Sequence, residues 1–319
     1  MFRFTTSLFP LDPTEWNNEA RPLDRVVEQE VSTIEEFFYH SSLVLSAQTY
    51  LEKDAIADPP VFWRGQSDPS WTLCSPLERS FGVDTASRLK RKQSLGKDDW
   101  TRLLLRILQD YVADAEGRAL TAEDALDPSV WGAGRHFGLN GPFLDWTGSP
   151  FVALFFALSA YYRGLSKGAG VAPSDETTHV AVFRLIGYSS HDKSDDGTLR
   201  THLPRAKLSP RERAQAALYT ELNTPDAVDL ESYLCEKGEA WRLTKFLIPI
   251  SLAPVAVRYL NLMNIRHDTL LPDPEGFAAA ANLEYGLRTA QLVQIHGRGL
   301  RVFQGLPEDG EEGHGPKAS

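Results

Sequence analysis

The chain has 319 residues, of which 42% are hydrophobic and 10% aromatic, and this composition suffices to bury a core and excludes a wholly disordered chain. The formal net charge of −10 excludes a large nonspecific nucleic-acid surface, because phosphate binding needs clustered Lys and Arg. Two cysteines exclude a disulfide framework, and the first residues lack the apolar core of a signal peptide, so we expect a cytoplasmic protein that does not enter a membrane.

The first part of the chain predicts three elements. Ser32 and Thr33 are each followed three residues later by a glutamate, the spacing of a capping box, and the apolar run beyond them predicts a helix to about residue 51. The sequence VFWRGQSD at residues 61–68 predicts a short strand that ends in a glycine turn. Apolar residues at helical spacing over residues 98–116 predict an amphipathic helix.

The stretch at residues 135–162 places a polar loop directly before an apolar helix. Ser149 is suited to be the N-cap and Pro150 to be the first helical residue, so we expect the helix to begin there. The run from residue 151 to residue 162 is apolar on nearly every face, which is typical of a helix buried on all sides. It is much shorter than the roughly 20 residues that span a membrane. The stretch therefore predicts a central core helix.

The second half of the chain predicts strands, helices and one ambiguous segment. Asp273 is the predicted N-cap of the last helix, because Pro274 and an alanine-rich run follow it. Residues 209–222 are compatible with a helix start or with a short strand, whereas residues 187–201 are expected to form a loop. The predicted strands are His179–Ile186 and 245–250, and the other predicted helices are 226–236 and 255–263.

Helices alternate with short, scattered strands, without a regular strand–helix repeat. This pattern predicts the α+β class: a single compact domain in which short strands form a small mixed sheet, packed by several helices around a buried central helix. The domain is expected to span residues 31–296, preceded by an N-terminal extension at residues 1–30. Residues 307–319 are polar and glycine-rich, which predicts a disordered acidic tail.

Four motifs follow one another between residues 30 and 290. They are FWRGQS at residues 62–67 with Trp71, RHFGLNGPFLDWTGSP at residues 135–150, Pro210, Arg213 and Gln215 with Tyr219-Thr220, and Leu271-Pro272-Asp273 with Gly276. Together they resemble the bacterial FRG domain, a family named for a Phe/Tyr-Arg-Gly motif near its start. Ala216 stands where that family typically has glycine.

The resemblance carries an expectation about chemistry. The Arg-Gly strand end is similar to the first motif of ADP-ribosyltransferases, in which a basic residue on an early strand holds NAD. It implies a toxin or anti-phage effector that uses NAD as substrate and needs no metal. The acceptor would be an unknown protein or nucleic acid, and an antitoxin or another protein would be a partner. A dinucleotide needs a cation for its pyrophosphate, hydrogen bonds, aromatic surface and a carboxylate at the ribose. The candidate cofactor-binding residues are Arg64, Gly65, Phe137, Trp146, Thr147 and Tyr219.

The catalytic carboxylate has several candidates. Related toxin families show Glu where this chain has Gln215, and Glu221 follows six residues later. Asp145 and Glu275 are further carboxylates, and His136 is a candidate for positioning the ribose or the amide. The candidate catalytic residues are therefore His136, Asp145, Gln215 and Glu221.

Structural explanations and other functions stand beside this interpretation. Arg64 and Asp145 are suited to a buried ion pair that braces two loops, and Asp273 is explained by helix capping alone. The alternative function is a noncatalytic recognition domain whose pocket senses a nucleotide or a phage or partner protein. A third hypothesis is a metal-dependent nuclease that uses Asp145, Asp273 and Glu275.

Overall fold

The computed structural model describes residues 25–41, 60–80, 104, 106–107, 140–166, 178–188, 195–202, 209–224 and 229–297. The loop that carries His136 and Phe137, most of the helix predicted at 98–116, and the predicted tail at 307–319 lie outside these residues. None of the described helices is long and apolar enough to cross a membrane.

A seven-stranded mixed sheet runs through the described residues, in the order β1-β7-β4-β2-β3-β6-β5. β1 pairs with β7 in parallel, and the other neighbours are antiparallel. The strands are β1 Val27–Glu30, β2 Val61–Gln66, β3 Leu144–Thr147, β4 His179–Ile186, β5 Leu199–His202, β6 Ala217–Leu222 and β7 Leu243–Pro249. The last residues of the predicted N-terminal extension thus form an edge strand of the sheet.

Helices pack on both faces of this sheet. They are α1 at residues 34–41, α2 Pro76–Ser80, α3 Pro150–Ala157, α4 Ser159–Ser166, α5 Pro210–Ala214, α6 Leu230–Glu236, α7 Ala253–Leu262, α8 His267–Leu270 and α9 Pro274–Gly297. Short 3₁₀ turns occupy Ala240–Arg242 and Ile250–Leu252. The predicted α+β class, with a mixed sheet packed by helices around a central one, is confirmed.

Alternation along the strands divides the core between two faces. On the α3 face, Trp63 and Phe246 pack in one cluster with buried side chains of α3 such as Leu154. On the opposite face, which we call the α6 face, Phe62 and Trp146 pack in a second cluster with the α6 residues Leu230, Tyr233 and Leu234. The face to which each polar side chain points can therefore be read from its position along its strand.

Local capping signals define the predicted helix starts. The Ser149 hydroxyl accepts a hydrogen bond from Val152 N at 3.4 Å, and Pro150 is the first residue of α3. At α1, Thr33 Oγ1 accepts from Glu36 N at 3.1 Å, and the Glu36 carboxylate accepts from Ser32 N at 2.7 Å. Both predicted starts are confirmed.

The prediction of one helix from residue 150 to residue 162 is wrong, because the helix breaks at Leu158. Leu158 has a φ of −82° and a ψ of 8°, and α4 begins at the next residue. Ser159 Oγ lies 2.8 Å from Ser67 Oγ, beyond the end of β2. After the break, α4 packs on α9, where a Cβ at Gly286 would lie 2.8 Å from the carbonyl carbon of Leu165. The break lets α3 cover the sheet while α4 follows α9.

Two other segments differ from expectation or resolve an ambiguity. The loop predicted at residues 187–201 ends instead in β5, which pairs with β6 along its whole length. The ambiguous segment at residues 209–222 contains both alternatives, since α5 is followed by β6. Ser209 caps α5 with a complete capping box, in which Glu212 is the reciprocal partner.

Candidate functional site

The motifs meet around the middle strands of the sheet. β2 and β6 finish at the same end of the sheet at which β3 and β5 begin, because Gln66 lies beyond the Trp63–Thr147 pair and Leu222 is opposite Leu199. We call this the Gln66 end. At the other end, which we call the Thr147 end, Thr147 is opposite both Trp63 and Ala217.

Arg64 bridges β2 and β3. The register pair of these two strands is Trp63 with Thr147, and Arg64 is the next residue of β2 toward the Gln66 end. Its Nη1 donates a hydrogen bond to the main-chain carbonyl of Asp145 at 2.6 Å. Arg64 therefore contacts Asp145, its expected partner in an ion pair, through the main-chain carbonyl of β3. It places a half-buried guanidinium between the two strands.

Gly65 is explained by helix packing. A Cβ at this position would lie 2.5 Å from Ala157 N and 2.9 Å from the carbonyl carbon of Ala153, and it would overlap the oxygen of that carbonyl. The backbone of β2 thus contacts α3 directly, which only glycine permits. The Arg-Gly sequence places a guanidinium between two strands and, at the next residue, lets the helix approach.

Asp145 and Glu221 lie on the same face of neighbouring strands. Asp145 is opposite Tyr219, and Glu221 is two residues farther along β6, so both point to the α3 face. Diagonal neighbours of this kind have Cα atoms roughly 7–8 Å apart. Register therefore brings two of the predicted catalytic carboxylates together toward the Gln66 end.

Glu221 has basic neighbours on β5. Its Oε2 lies 3.3 Å from His202 Nε2, and these side chains are 20% and 23% exposed. Arg200 is directly opposite Glu221 in the ladder. A carboxylate, an imidazole and a guanidinium are thus gathered where solvent reaches them. Such a group can donate to and accept from a sugar hydroxyl, and it can balance positive charge that develops nearby.

The predicted stacking residues Trp146 and Tyr219 belong to the core. Each is only 4% exposed. Trp146 Nε1 donates to Thr220 Oγ1 at 2.8 Å, and Tyr219 Oη donates to Glu212 Oε1 at 2.7 Å. Their rings are buried and their polar atoms form hydrogen bonds within the protein, so these two residues pack in the core and do not offer a surface on which a ligand can stack.

Thr147 and Gln215 form a joint at the Thr147 end. Thr147 Oγ1 donates to Gln215 O at 2.6 Å and accepts from Ser149 N at 3.1 Å. Gln215 Nε2 donates to Leu270 O at 3.1 Å. Gln215 and Glu221 therefore lie at opposite ends of β6. Thr147, in contrast, lies two residues from Asp145 on the same face of β3.

Asp273 and Glu275 are both paired with Arg211. Asp273 also caps α9 by accepting from Gly276 N at 3.1 Å, as predicted. The hydrogen bond from Arg211 lowers the pKa of Asp273 to about 2. No three His, Cys, Asp or Glu side chains of the described residues gather as metal ligands, so this part of the chain offers no cluster for the nuclease hypothesis.

Comparison with known proteins identifies the segment that contains the first two motifs. Residues 59–166 match the model of the FRG domain. Searches of the curated proteins and of the solved structures gave no match.

The FRG segment supplies Arg64, Gly65 and Asp145, together with the central helix that approaches Gly65. Glu221 and His202 lie outside that segment, and the pairing of β3, β6 and β5 brings them beside it. The candidate site therefore combines the FRG segment with the two strands that extend its sheet.

Three residues of interest were missed by the sequence reasoning. His202 belongs to no motif, and its contact with Glu221 depends on strand pairing. Gln66 and Trp71 are motif residues to which no role was given. Gln66 is two residues from Arg64 on a predicted strand, so strand alternation was the signal that both point to one face.

Proposed function

We propose that the chain transfers ADP-ribose from NAD to a protein or nucleic-acid acceptor, as an effector of a bacterial toxin or anti-phage defence system. The observation that supports it best is the placement of Asp145 and Glu221 on one face of neighbouring strands, while Arg64 bonds to the backbone of the same β3. The FRG match covers Arg64 and Asp145.

The reaction assigns roles to Glu221, His202 and Arg64. The bond between nicotinamide and C1′ of its ribose breaks, nicotinamide leaves as a neutral molecule, and positive charge develops on the ribose. Glu221 stabilises that charge and holds a ribose hydroxyl, with His202 orienting the carboxylate. Arg64 points to the α6 face and Glu221 to the α3 face, so the dinucleotide passes around the Gln66 end of the sheet, where Arg64 binds the pyrophosphate. A nucleophilic atom of the acceptor then bonds to C1′ and releases its proton.

We choose Glu221 as the catalytic carboxylate over Gln215 and Asp273, because both of these residues have structural roles. Gln215 has no carboxylate and its amide holds Leu270 O, while Asp273 caps a helix and pairs with Arg211. Glu221 is on a strand, partly exposed, and beside an imidazole.

The test follows both products of NAD. The purified chain is incubated with bacterial extract and NAD labelled in its adenylate part, and label in protein and nucleic acid is measured together with free nicotinamide. Glu221→Gln should lower both signals on the order of 10²–10³-fold, and Arg64→Ala should raise the KM for NAD. Glu236→Gln and Arg258→Ala, at exposed positions, are the matched controls. Undiminished transfer by Glu221→Gln would refute the assignment.

The second candidate is the noncatalytic recognition domain. It is favoured by Gln215, which stands where related toxin families have Glu and which serves here as a joint between Thr147 and Leu270. On this alternative, calorimetry would detect NAD binding that depends on Arg64, while no nicotinamide would be released.

A further inference from the structure

We propose that Gln66 and Trp71 form an adenine-binding element, in which the Trp71 ring stacks on the base and the Gln66 amide hydrogen-bonds to its edge. The choice of an adenine dinucleotide as ligand rests on the proposed function. The element itself rests on two observations that the proposed reaction does not use.

The first observation is a buried amide whose two polar atoms have no partner. Gln66 is 3% exposed, and neither its Nε2 nor its Oε1 makes a hydrogen bond. Buried polar side-chain atoms nearly always have partners, so this amide is an unused pair of donor and acceptor. Strand alternation places it on the same face of β2 as Arg64, where its ladder partner is Ala181.

The second observation is a half-exposed tryptophan on a hydrogen-bonded turn. Trp71 is 50% exposed. The turn before it is held by Asp68, whose Oδ1 accepts from Ser70 N at 2.8 Å and whose carbonyl accepts from Trp71 N at 3.3 Å. Ser67 Oγ, 2.8 Å from Ser159 Oγ, fixes the start of the turn to α4.

After the turn the chain runs along the α6 face, to which Gln66 points. After the turn, Leu73 packs in the α6-face cluster, and its carbonyl accepts from Leu230 N at 2.9 Å. The segment therefore folds back over the face to which Arg64 and Gln66 point. A cation, an amide and an aromatic ring on one short segment match the phosphate, the base edge and the base plane of a nucleotide.

Adenine is the base that this chemistry favours. A glutamine amide pairs bidentately with adenine, accepting from the N6 amino group and donating to N7. An exposed indole adds a stacking surface, which Trp146 and Tyr219 do not offer because they are buried. Hypoxanthine has a carbonyl in place of the amino group, so it loses one of the two hydrogen bonds.

The first test measures binding of ADP-ribose, which contains adenine but cannot react, to the full chain by calorimetry. Trp71→Ala should weaken binding about 5- to 150-fold, whereas Trp71→Phe should stay within about 3-fold of the wild type. Tyr285→Ala, which removes a 69% exposed aromatic ring on α9, is the matched control and should change nothing. Unchanged binding by Trp71→Ala overturns the proposal.

The second test asks whether Gln66 reads the base. The wild type should bind ADP-ribose about 5- to 100-fold more tightly than the hypoxanthine analogue, and Gln66→Met should abolish this preference. The melting temperature of Gln66→Met should equal or exceed that of the wild type, because an unpartnered amide is removed. A retained preference in Gln66→Met overturns the proposal, as does a folded wild type that does not bind ADP-ribose.

These outcomes separate the element from the transfer reaction. Loss of ADP-ribose binding in Trp71→Ala without any nicotinamide release from NAD by the wild type supports the adenine element and rejects the transferase. Transfer with an unchanged KM for NAD in Trp71→Ala supports the transferase and rejects the element.

Discussion

Ala216 has a backbone φ of 47°, a left-handed conformation that crowds a Cβ against the carbonyl that follows it. The turn is held in place because Ala216 N donates to Arg213 O at 3.2 Å and Ala216 O accepts from Gly148 N at 2.9 Å. We predict that Ala216→Gly raises the free energy of unfolding by about 0.5–1 kcal/mol, since relief of the Cβ exceeds the entropy that glycine adds to the unfolded chain. Urea denaturation measures this change.

Ala217 provides the comparison for Ala216, because it is the next residue and lies in β6. Ala217→Gly should lower the free energy of unfolding by about 0.5–1 kcal/mol, as glycine does inside regular elements. A destabilised Ala216→Gly variant would contradict the strain argument. Glycine at this position is also what the FRG resemblance leads one to expect.

Among the elements, the crossing of α3 over β2 depends on Gly65. A methyl group there meets the backbone of Ala153 and Ala157, which cannot move without shifting the helix. We predict that Gly65→Ala destabilises the protein by about 3 kcal/mol or more, at the upper end of overpacking costs. Gly164→Ala in α4, where no atom lies within 4 Å of the added Cβ, should instead stabilise by about 0.5–1 kcal/mol. Thermal unfolding of both variants measures these changes in stability, and equal melting temperatures would contradict the prediction.

Local interactions explain which elements the sequence predicted well. The caps at Thr33, Ser149 and Asp273 each act within three residues of their partners, so the sequence contains the whole interaction. The break at Leu158 and the strand β5 were missed because they depend on contacts distant in sequence. α4 must follow α9, and β5 exists because β6 lies beside it.

The candidate site also combines features that the sequence indicates with features that depend on contacts distant in sequence. The motif residues Arg64 and Asp145 are in contact, although through a backbone carbonyl that no sequence pattern indicates. The proximity of Asp145, Glu221 and His202 arises from the register of three strands, and that register is set by the packing of both sheet faces. Tyr219, which was expected to stack on a ligand, is buried against Phe143, and its hydroxyl donates to Glu212.

At the scale of the whole molecule, the middle strands carry different groups at their two ends. At the Thr147 end the motif residues join β3, α5 and α8, because Thr147 holds Gln215 and Gln215 holds Leu270. At the Gln66 end the same strands present Glu221 beside His202. A motif residue that was a catalytic candidate, such as Gln215, can therefore have a structural role, while the candidate site that we propose lies at the other end of the strand.

This separation predicts the outcome of placing a glutamate at position 215. Gln215→Glu should not increase NAD turnover, because position 215 is at the Thr147 end, away from Glu221. It should lower the free energy of unfolding by about 1–3 kcal/mol, since the amide that donates to Leu270 O is replaced by a carboxylate facing that oxygen. Nicotinamide release and urea denaturation measure the two effects, with Gln291→Glu in α9 as the same substitution outside the joint. A Gln215→Glu variant with raised turnover and unchanged stability would move the catalytic carboxylate to position 215.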